Sequence, residues 1–415
     1  MSPTSDSTAI PDSIRPGRIV VAMSGGVDSS VVAWLLREQG ADCVGLFMRN
    51  GVHVDEAESA KKSCCSVGDA RDARMVAAGL GIPFQAVDLG SEFGSIIQYF
   101  VDEYRRGRTP NPCAVCNRDL KFGRLMRFAD ELGAAGVATG HYAHVEHGKN
   151  DTGGSVAVYR GLDEKKDQSY QLFCVAERDL ARTWLPLGRM RKPDVRALAG
   201  KVGLRTAAKR DSQEICFVPS NDYRKLLAER KVELHPGDLV DTAGNVLGTH
   251  AGTEHFTIGQ RKGHGVGGGT PLYVVATYPE QGVVVLGTKD ECGTREIEVS
   301  ELNLIGFRPG GPGSESGSSG FRAEVQVRYH HTPVPAEIEL EVDVGRGDDQ
   351  GGRARVRFDE PVLSVAAGQG AAFYHGPRLL GGGWIDVAQA PTAAADDASA
   401  NDAEACAGSP PSGAR

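Results

Sequence analysis

The chain has 415 residues, 40% hydrophobic and 24% charged, with a formal net charge of −8. That length exceeds one ordinary core and calls for two or three domains, while the composition is that of a soluble globular protein. No apolar run approaches the ~20 residues of a membrane span, and the acidic sum weighs against a general nucleic-acid binder, although the distribution of charge counts for more than the sum.

The opening stretch MSPTSDSTAIPDS has neither a basic region nor an apolar core, so no secretory signal is expected, and residues 1–15 read as a disordered N-terminus. Nine cysteines, an odd number without a secretion signal, point to a reducing cytoplasm where thiols are catalytic, metal-bound or buried. RIVVAMSGG, VDSSVVAWLLREQG and ADCVGLFM then read as strand, glycine turn, helix and strand, a βαβ unit of a parallel sheet. DARDARMVAAGLG and FGSIIQYFVDEYRRG predict helices, and IPFQAVDL, AAGVATGHYAHV and SVAVYRGL predict strands. An α/β domain is therefore expected over 16–225. Short extended runs between glycines and prolines (DLVDT, VLGTH, LYVVATY, GVVVLG) predict a small central β-rich domain over 226–292. FRAEVQVRYH, AEIELEVDV, GRARVRFDEPV and GQGAAFYHG predict a C-terminal β-barrel over 293–388. RPGGPGSESGSSG reads as a flexible loop and 389–415 as a disordered tail.

The sharpest motif is SGGVDSS, Ser24 to Ser30, between strand and helix. Gly25 and Gly26 let the backbone approach an anion, and a helix N-terminus favours phosphate. Asp28, Ser29 and Ser30 fall at the helix start, where their oxygens can satisfy free N–H groups or bind a polyphosphate with magnesium. A Walker A loop would need Lys-Ser/Thr after its last glycine, and none is present. S-G-G-x-D-S after a strand resembles the pyrophosphate loop of ATP pyrophosphatases, which hold the departing pyrophosphate while AMP is transferred. Gly263, Gly265 and Gly268 match G-x-G-x-x-G but precede a strand rather than a helix, so that match is accidental. Residues 187–210 carry eight Lys or Arg against Asp194 alone, either as a solvated face or as a track for phosphates.

Further motifs follow in order: LFMRN (46–50), KSCCSVGDARDAR (62–74), GRTPNPCAVCNRDLKFG (107–123), ATGHYA (138–143), KKDQSYQLF (165–173), DSQEICFV (211–218), FTIGQRKGHGVGG (256–268), VRYHH (327–331) and AAGQG (366–370). Together they closely resemble the tRNA-specific 2-thiouridylases, the MnmA/TrmU family, from about residue 17 to 386. The resemblance implies an α/β fold: a parallel-sheet, pyrophosphate-loop ATP-binding domain (adenine nucleotide alpha hydrolase-like), then the small β-rich domain and the β-barrel. It implies that Ala22, Met23, Ser24, Gly25, Gly26, Val27, Asp28 and Ser29 bind ATP phosphates, with Met48 and Gly140 at the adenine nucleoside. Asn111, Pro112 and Cys113 would face the target base. His141, Lys166, Asp167, Gln168, Arg328, Tyr329 and Gln369 would contact tRNA. Cys116 matches the nucleophilic cysteine and Cys216 the persulfide carrier. The implied reaction is 2-thiolation of the wobble uridine by adenylation of its C2 oxygen. ATP and Mg2+ would be required, with tRNA and a persulfide sulfur-donor protein as partners, and no membrane.

One position departs from the family pattern, which has Asp where Cys113 stands. Cys113 is a bystander, an accessory redox thiol, or a cluster ligand beside Cys116 and Cys216. Zinc is disfavoured because no second C-x-x-C completes a tetrahedral set, and no metal site is assigned. Cys43 and Cys174 sit in apolar runs and read as core; Cys64 and Cys65 read as structural, and Cys292 and Cys406 as incidental. His250, His255, His330 and His331 read as packed or solvated. Three other readings stay open: an iron–sulfur-dependent tRNA thiolase, a non-catalytic tRNA-binding protein, and an adenylating ligase for a small carboxylate.

Overall fold

The computed structural model describes residues 17–51, 67–148, 155–211, 215–218, 222–267, 269–309, 320–341 and 351–388. The expected disordered termini, most of the 308–320 loop, and Cys64, Cys65 and Cys406 lie outside the described residues.

The first unit is a five-stranded sheet of β1 Ile19–Ala22, β2 Cys43–Arg49, β3 Phe84–Asp88, β4 Gly136–Ala138 and β7 Thr183–Trp184. Its order is β3-β2-β1-β4-β7, parallel at every pairing. Ile19, Val20 and Val21 are buried, as a strand covered on both faces requires. Helix α1 (Val27–Glu38) follows β1, and α2 (Val67–Gly79) lies between β2 and β3. Helix α3 (Gly90–Arg105) buries Phe93, Ile96, Ile97, Phe100, Val101 and Tyr104, a stripe at helical spacing. Each such side chain contributes about 1.5–3 kcal/mol relative to exposure.

A long helix over 112–131, here α4, has no counterpart among the sequence-based elements. It begins as an α-turn at Pro112–Val115, widens to a π-helix over Cys116–Arg124 and closes as Leu125–Glu131. Gly123 makes that packing feasible, since a Cβ there would lie 2.8 Å from the Arg118 carbonyl oxygen. Such widened turns concentrate at functional sites.

The second unit is a four-stranded sheet of β8 Gly237–Asp241, β9 Val246–His250, β10 Tyr273–Tyr278 and β11 Val283–Gly287. Its order is β10-β11-β8-β9, over a core of Leu239, Phe256, Val274, Val284 and Leu286. The third unit uses β12 Gly293–Leu304, β13 Gly320–Gln326, β14 Val334–Leu340, β15 Ala354–Leu363, β16 Gly370–His375 and β17 Arg378–Ala388. These six form a closed barrel, β12-β15-β14-β13-β16-β17, sealed by the pairing of β12 with β17. The run AAGVATGHYAHV behaves differently from the single strand expected. It splits into β4 and β5 (Ala143–His147), and the hairpin of β5 with β6 (Val156–Arg160) bonds to β17 of the barrel rather than to the parallel sheet. Gly140–Tyr142 is therefore the point where the chain crosses from one sheet to the other.

Candidate functional site

The strand order reverses between β1 and β4, and the carboxyl ends of those strands open a crevice of the kind that receives ligands in parallel sheets. The Ser24–Ser30 turn lines one side. Gly25 has φ +74°, and a Cβ there would meet the Asp69 carbonyl oxygen at 2.2 Å, so only glycine fits. Gly26 is the N-cap of α1 in extended conformation. The Ser29 hydroxyl accepts from the Ser24 amide at 3.1 Å and ties the turn together. Ser30 is fully buried and donates to the Gly26 carbonyl at 2.7 Å, so it braces the helix rather than facing a ligand. Ala22 and Met48 are half-buried at the ends of β1 and β2, while Met23 and Val27 are buried beneath the turn. Gly140 crosses directly over the helix start, where a Cβ would lie 3.1 Å from Asp28 Cβ and 3.2 Å from the Ser29 amide nitrogen.

Asp28 is the half-exposed acid of the turn, and its neighbours come from far along the chain. Tyr142 donates its hydroxyl to Asp28 at 2.8 Å. Lys192, at the start of α5 (Lys192–Lys201), donates to both carboxylate oxygens at 2.7 and 2.8 Å and reaches Asp211 at 2.9 Å. Lys209 donates to the Gly25 carbonyl at 2.9 Å and pairs with Asp69 and Asp72. Arg196 and Lys166 also close on Asp211; burial would raise its carboxyl, but Lys166 and Lys192 hold it down at about 2. The basic run 187–210 is thus drawn only in part into the fold: Lys192, Arg196 and Lys209 close on acids, Arg189 and Arg205 pair with Glu146 and Asp72 at the surface, and Arg191, Lys201 and Arg210 are exposed. Lys192 and Lys209 carry no motif of their own, and their only signal in the sequence is the charge run itself, whereas Asp211 opens the DSQEICFV motif.

The C-x-x-C stretch sits at the start of α4. Asn111 caps it, accepting from the Ala114 amide at 3.2 Å, and Pro112 takes the first helical position, where no N–H is needed. Cys113 is exposed and Cys116 half-buried, one helical turn apart. Asn117 is buried; its Nδ2 donates to the Gln171 carbonyl at 2.9 Å, which turns its Oδ1 toward His141 Nε2 at 3.2 Å. His141 Nδ1 accepts from the Thr139 hydroxyl at 2.6 Å. Burial, then the nearby Lys121 ammonium, keep this imidazole neutral, with its pKa well below the usual 6.5. His141 therefore joins the crevice at Gly140 to the helix that carries Cys116.

Cys216 is half-buried and packs against the same apolar core as Cys116. The residues after it explain the position. Phe217 is buried edge-on between Phe93 (5.7 Å) and Phe100 (5.3 Å) of α3, and Val218 is buried beside it. Cys43 and Cys174 are buried, which pushes their thiols up to about 11 and about 12. Cys292 is buried as well, donating to the Thr288 carbonyl. Among the described residues, no three His, Cys, Asp or Glu side chains form a set that could hold a metal ion.

The barrel faces the same helix. Gln369 Nε2 donates to the carbonyls of Thr109 and Pro110 at 3.1 and 2.9 Å. Tyr170 is buried, shares hydrogen bonds with Gly370, and lies 6.2 Å from the ring of Tyr329. Burial, Asp167 and the Cys113 sulfur push the Tyr329 hydroxyl up to about 12, which brings Cys113, Tyr329 and the 165–169 loop into one neighbourhood. Arg328 is exposed there. Asp167 accepts from the Gly161 and Ser169 amides, the Ser169 hydroxyl and Arg160. Gln168 accepts from the Tyr142 amide.

Residues 17–220 match the family model described as tRNA methyl transferase HUP domain, 224–288 the tRNA methyl transferase PRC-barrel domain, and 294–385 the aminomethyltransferase beta-barrel domain. The tRNA-specific 2-thiouridylase MnmA of Geobacter metallireducens is 46% identical over 377 residues, covering 89% of this chain and 97% of the relative. The same-named proteins of Carboxydothermus hydrogenoformans and Solibacter usitatus are 44% and 43% identical, each covering 99% of the relative and 90% and 89% of this chain. With identity at that level across nearly the whole length of each relative, the chain belongs to the tRNA-specific 2-thiouridylase family.

Proposed function

We propose that this chain is an ATP-dependent tRNA uridine 2-sulfurtransferase acting on the wobble base, with the crevice at Gly25–Ser29 as nucleotide site and Cys116 and Cys216 as its working thiols. The observation that carries the reading is the Thr139–His141–Asn117 bridge, which fixes the Cys116 helix against the bend that crosses the Ser24–Ser30 turn. That bridge supports a reading in which phosphate activation and sulfur chemistry are neighbours.

The C2 oxygen of uracil is a poor leaving group, so it must first be converted into a good one. In the reading proposed here, that oxygen attacks the α-phosphorus of ATP and pyrophosphate departs, with N3 losing its proton. A terminal persulfide sulfur on Cys216 then attacks C2, and AMP leaves with the C2–O electron pair. Cys116 thiolate attacks Cys216 Sγ, the S–S bond breaks, and the thiolated base leaves with that electron pair. A Cys116–Cys216 disulfide remains, to be reduced by a cellular dithiol. The persulfide comes from a sulfur-donor protein, and the need for a reductant fits the cytoplasm.

Hard oxygen ligands suit Mg2+, which usually takes one or two carboxylates plus substrate phosphates rather than a protein cage. Asp28, an acid at a helix start with no metal-holding set of side chains around it among the described residues, fits that habit. Bound there, the ion would supply charge neutralisation on the polyphosphate. Asn111, Pro112 and Cys113, with Tyr329 and Arg328 opposite, form the place we assign to the target base, and Lys166 and Gln168 border it.

The test uses unthiolated tRNA, ATP and a persulfide donor with the purified protein. Mass spectrometry of the digested nucleosides should show 2-thiouridine from wild type and none from Cys216→Ser. Its absence with wild type, under conditions where ATP is bound, would overturn the reading. Retained product in Cys216→Ser would overturn the persulfide assignment.

A further inference from the structure

We propose that Lys192 is a polyphosphate-contacting residue, parked on Asp28 until nucleotide enters the crevice. The inference rests on the assignment of Gly25–Ser29 as the nucleotide site and adds a residue that the loop motif does not contain.

Lys192 is buried, with 7% of its surface exposed, yet its ammonium ends in the phosphate turn. A buried charge needs compensation, and Lys192 finds it in the turn itself: its ammonium donates to both oxygens of Asp28 and reaches Asp211, while Asp163 accepts from its backbone amide at 2.9 Å. That sets a cation where the first N–H groups of α1 already favour an anion. Lys209 is the structural lysine, holding the Gly25 carbonyl and pairing with Asp69 and Asp72. Of the two lysines, Lys192 is the one whose ammonium lies on the turn's own carboxylate.

Its present bonds also block the site. A polyphosphate beside the Asp28 carboxylate would face like charge at close range. Two exchanges relieve this. Asp28 turns its oxygens to the cation that accompanies the nucleotide, and Lys192, with three donors on a flexible stem, passes one or two of them to phosphate oxygens. Asp211 keeps hold of the ammonium during the swap, so the stem need not move far.

Equilibrium binding of inorganic pyrophosphate, ATP and adenosine to the full chain, with and without Mg2+, tests this. Lys192→Met should weaken pyrophosphate and ATP by roughly tenfold or more, as expected for a lost charge-assisted hydrogen bond, with adenosine unchanged. Lys192→Arg should restore most of the loss. Asp28→Asn supplies an arm of opposite sign that does not depend on the folding of the Met variant. With the lysine released, pyrophosphate should bind more tightly than to wild type when Mg2+ is absent, and Mg2+ should no longer help. Pyrophosphate binding equal to wild type in Lys192→Met, or no gain in metal-free Asp28→Asn, would overturn the proposal while leaving the site intact. Wild type that binds neither ATP nor pyrophosphate would remove the site itself.

Discussion

Lys166 Nζ lies 2.8 Å from one oxygen of Asp211, and the other oxygen takes Lys192 at 2.9 Å and Arg196 at 2.5 Å. One carboxylate thus joins the loop of 165–169, the Ser24–Ser30 turn through Lys192, and the chain that leads five residues on to Cys216. Against burial, which would raise it, Lys166 and Lys192 hold its carboxyl at about 2, below the ordinary 3.8. A carboxyl held down in the folded state adds stability above the unfolded value and loses it as pH falls from about 3.8 toward about 2. Asp211→Asn should therefore lower the melting temperature by a few degrees near neutral pH, with the gap to wild type closing below about pH 4. Melting curves across that range check it, and a gap that stays constant with pH would contradict the charge origin.

Gln369 is expected from family resemblance to touch tRNA, but its amide nitrogen is occupied by the Thr109 and Pro110 carbonyls, just before the helix of Cys113 and Cys116. Its effect should pass through that helix. Gln369→Ala should cut single-turnover thiolation by about tenfold or more while changing tRNA affinity less than about threefold. Filter binding alongside rapid quench separates the two, and a loss confined to affinity would restore the contact role.

Asp167 is similar. Its carboxylate is filled by two amides, a hydroxyl and Arg160, whose guanidinium stacks 3.7 Å over the Tyr374 ring and also reaches Gln326 at 3.1 Å. The pair binds the β5–β6 hairpin to the barrel. Asp167→Ala should cost about 3 kcal/mol in denaturant unfolding, because it leaves a largely enclosed guanidinium and two amides without their acceptor.

Much of this was readable in the residues. The apolar IVVA followed by glycines pointed to β1, the turn and α1, and the alternating runs near the C-terminus pointed to the barrel. The burial of Phe217 and Val218, which anchors the chain just after Cys216, is a finding of the structure and was not read from the DSQEICFV motif. What stayed hidden is long-range. The Lys192–Asp28 pair spans 164 residues, and nothing local distinguishes a buried lysine from a solvated one in a basic run. The β5–β6 hairpin has the pattern of any short strand pair, and only the edge offered by β17 decides which sheet it joins. Helix α4 was obscured because its polar CNRDLKFGR stretch follows a π rather than an α period.

The exposed cations of the basic run give a sharper test of RNA binding than the run as a whole. Replacing Arg191, Lys201 and Arg210 together should weaken tRNA binding and flatten its salt slope by about one unit for each phosphate no longer neutralised. Arg189 and Arg205, already paired with acids, should contribute little to that slope.

The last prediction concerns the thiols. Cys113 is exposed near the N-terminus of α4, and Cys116 sits half-buried one turn later. Cys43 and Cys174 are enclosed, with thiols at about 11 and about 12. Brief alkylation of the native protein should therefore label Cys113 first, Cys116 and Cys216 more slowly, and Cys43 and Cys174 only after unfolding; peptide mass spectrometry reads the order. Catalysis should rank them differently. Cys116→Ser should abolish thiolation, since a hydroxyl cannot release the base from the persulfide adduct, and without reductant the wild type should stop after about one turnover with Cys116 bonded to Cys216. Cys113→Asp should keep or raise activity, because a carboxylate beside Tyr329 can orient the nucleophile or take a proton where a thiol does so poorly. Loss of activity in Cys113→Asp, with Cys116 still alkylated at the wild-type rate, would make Cys113 a working thiol rather than a bystander.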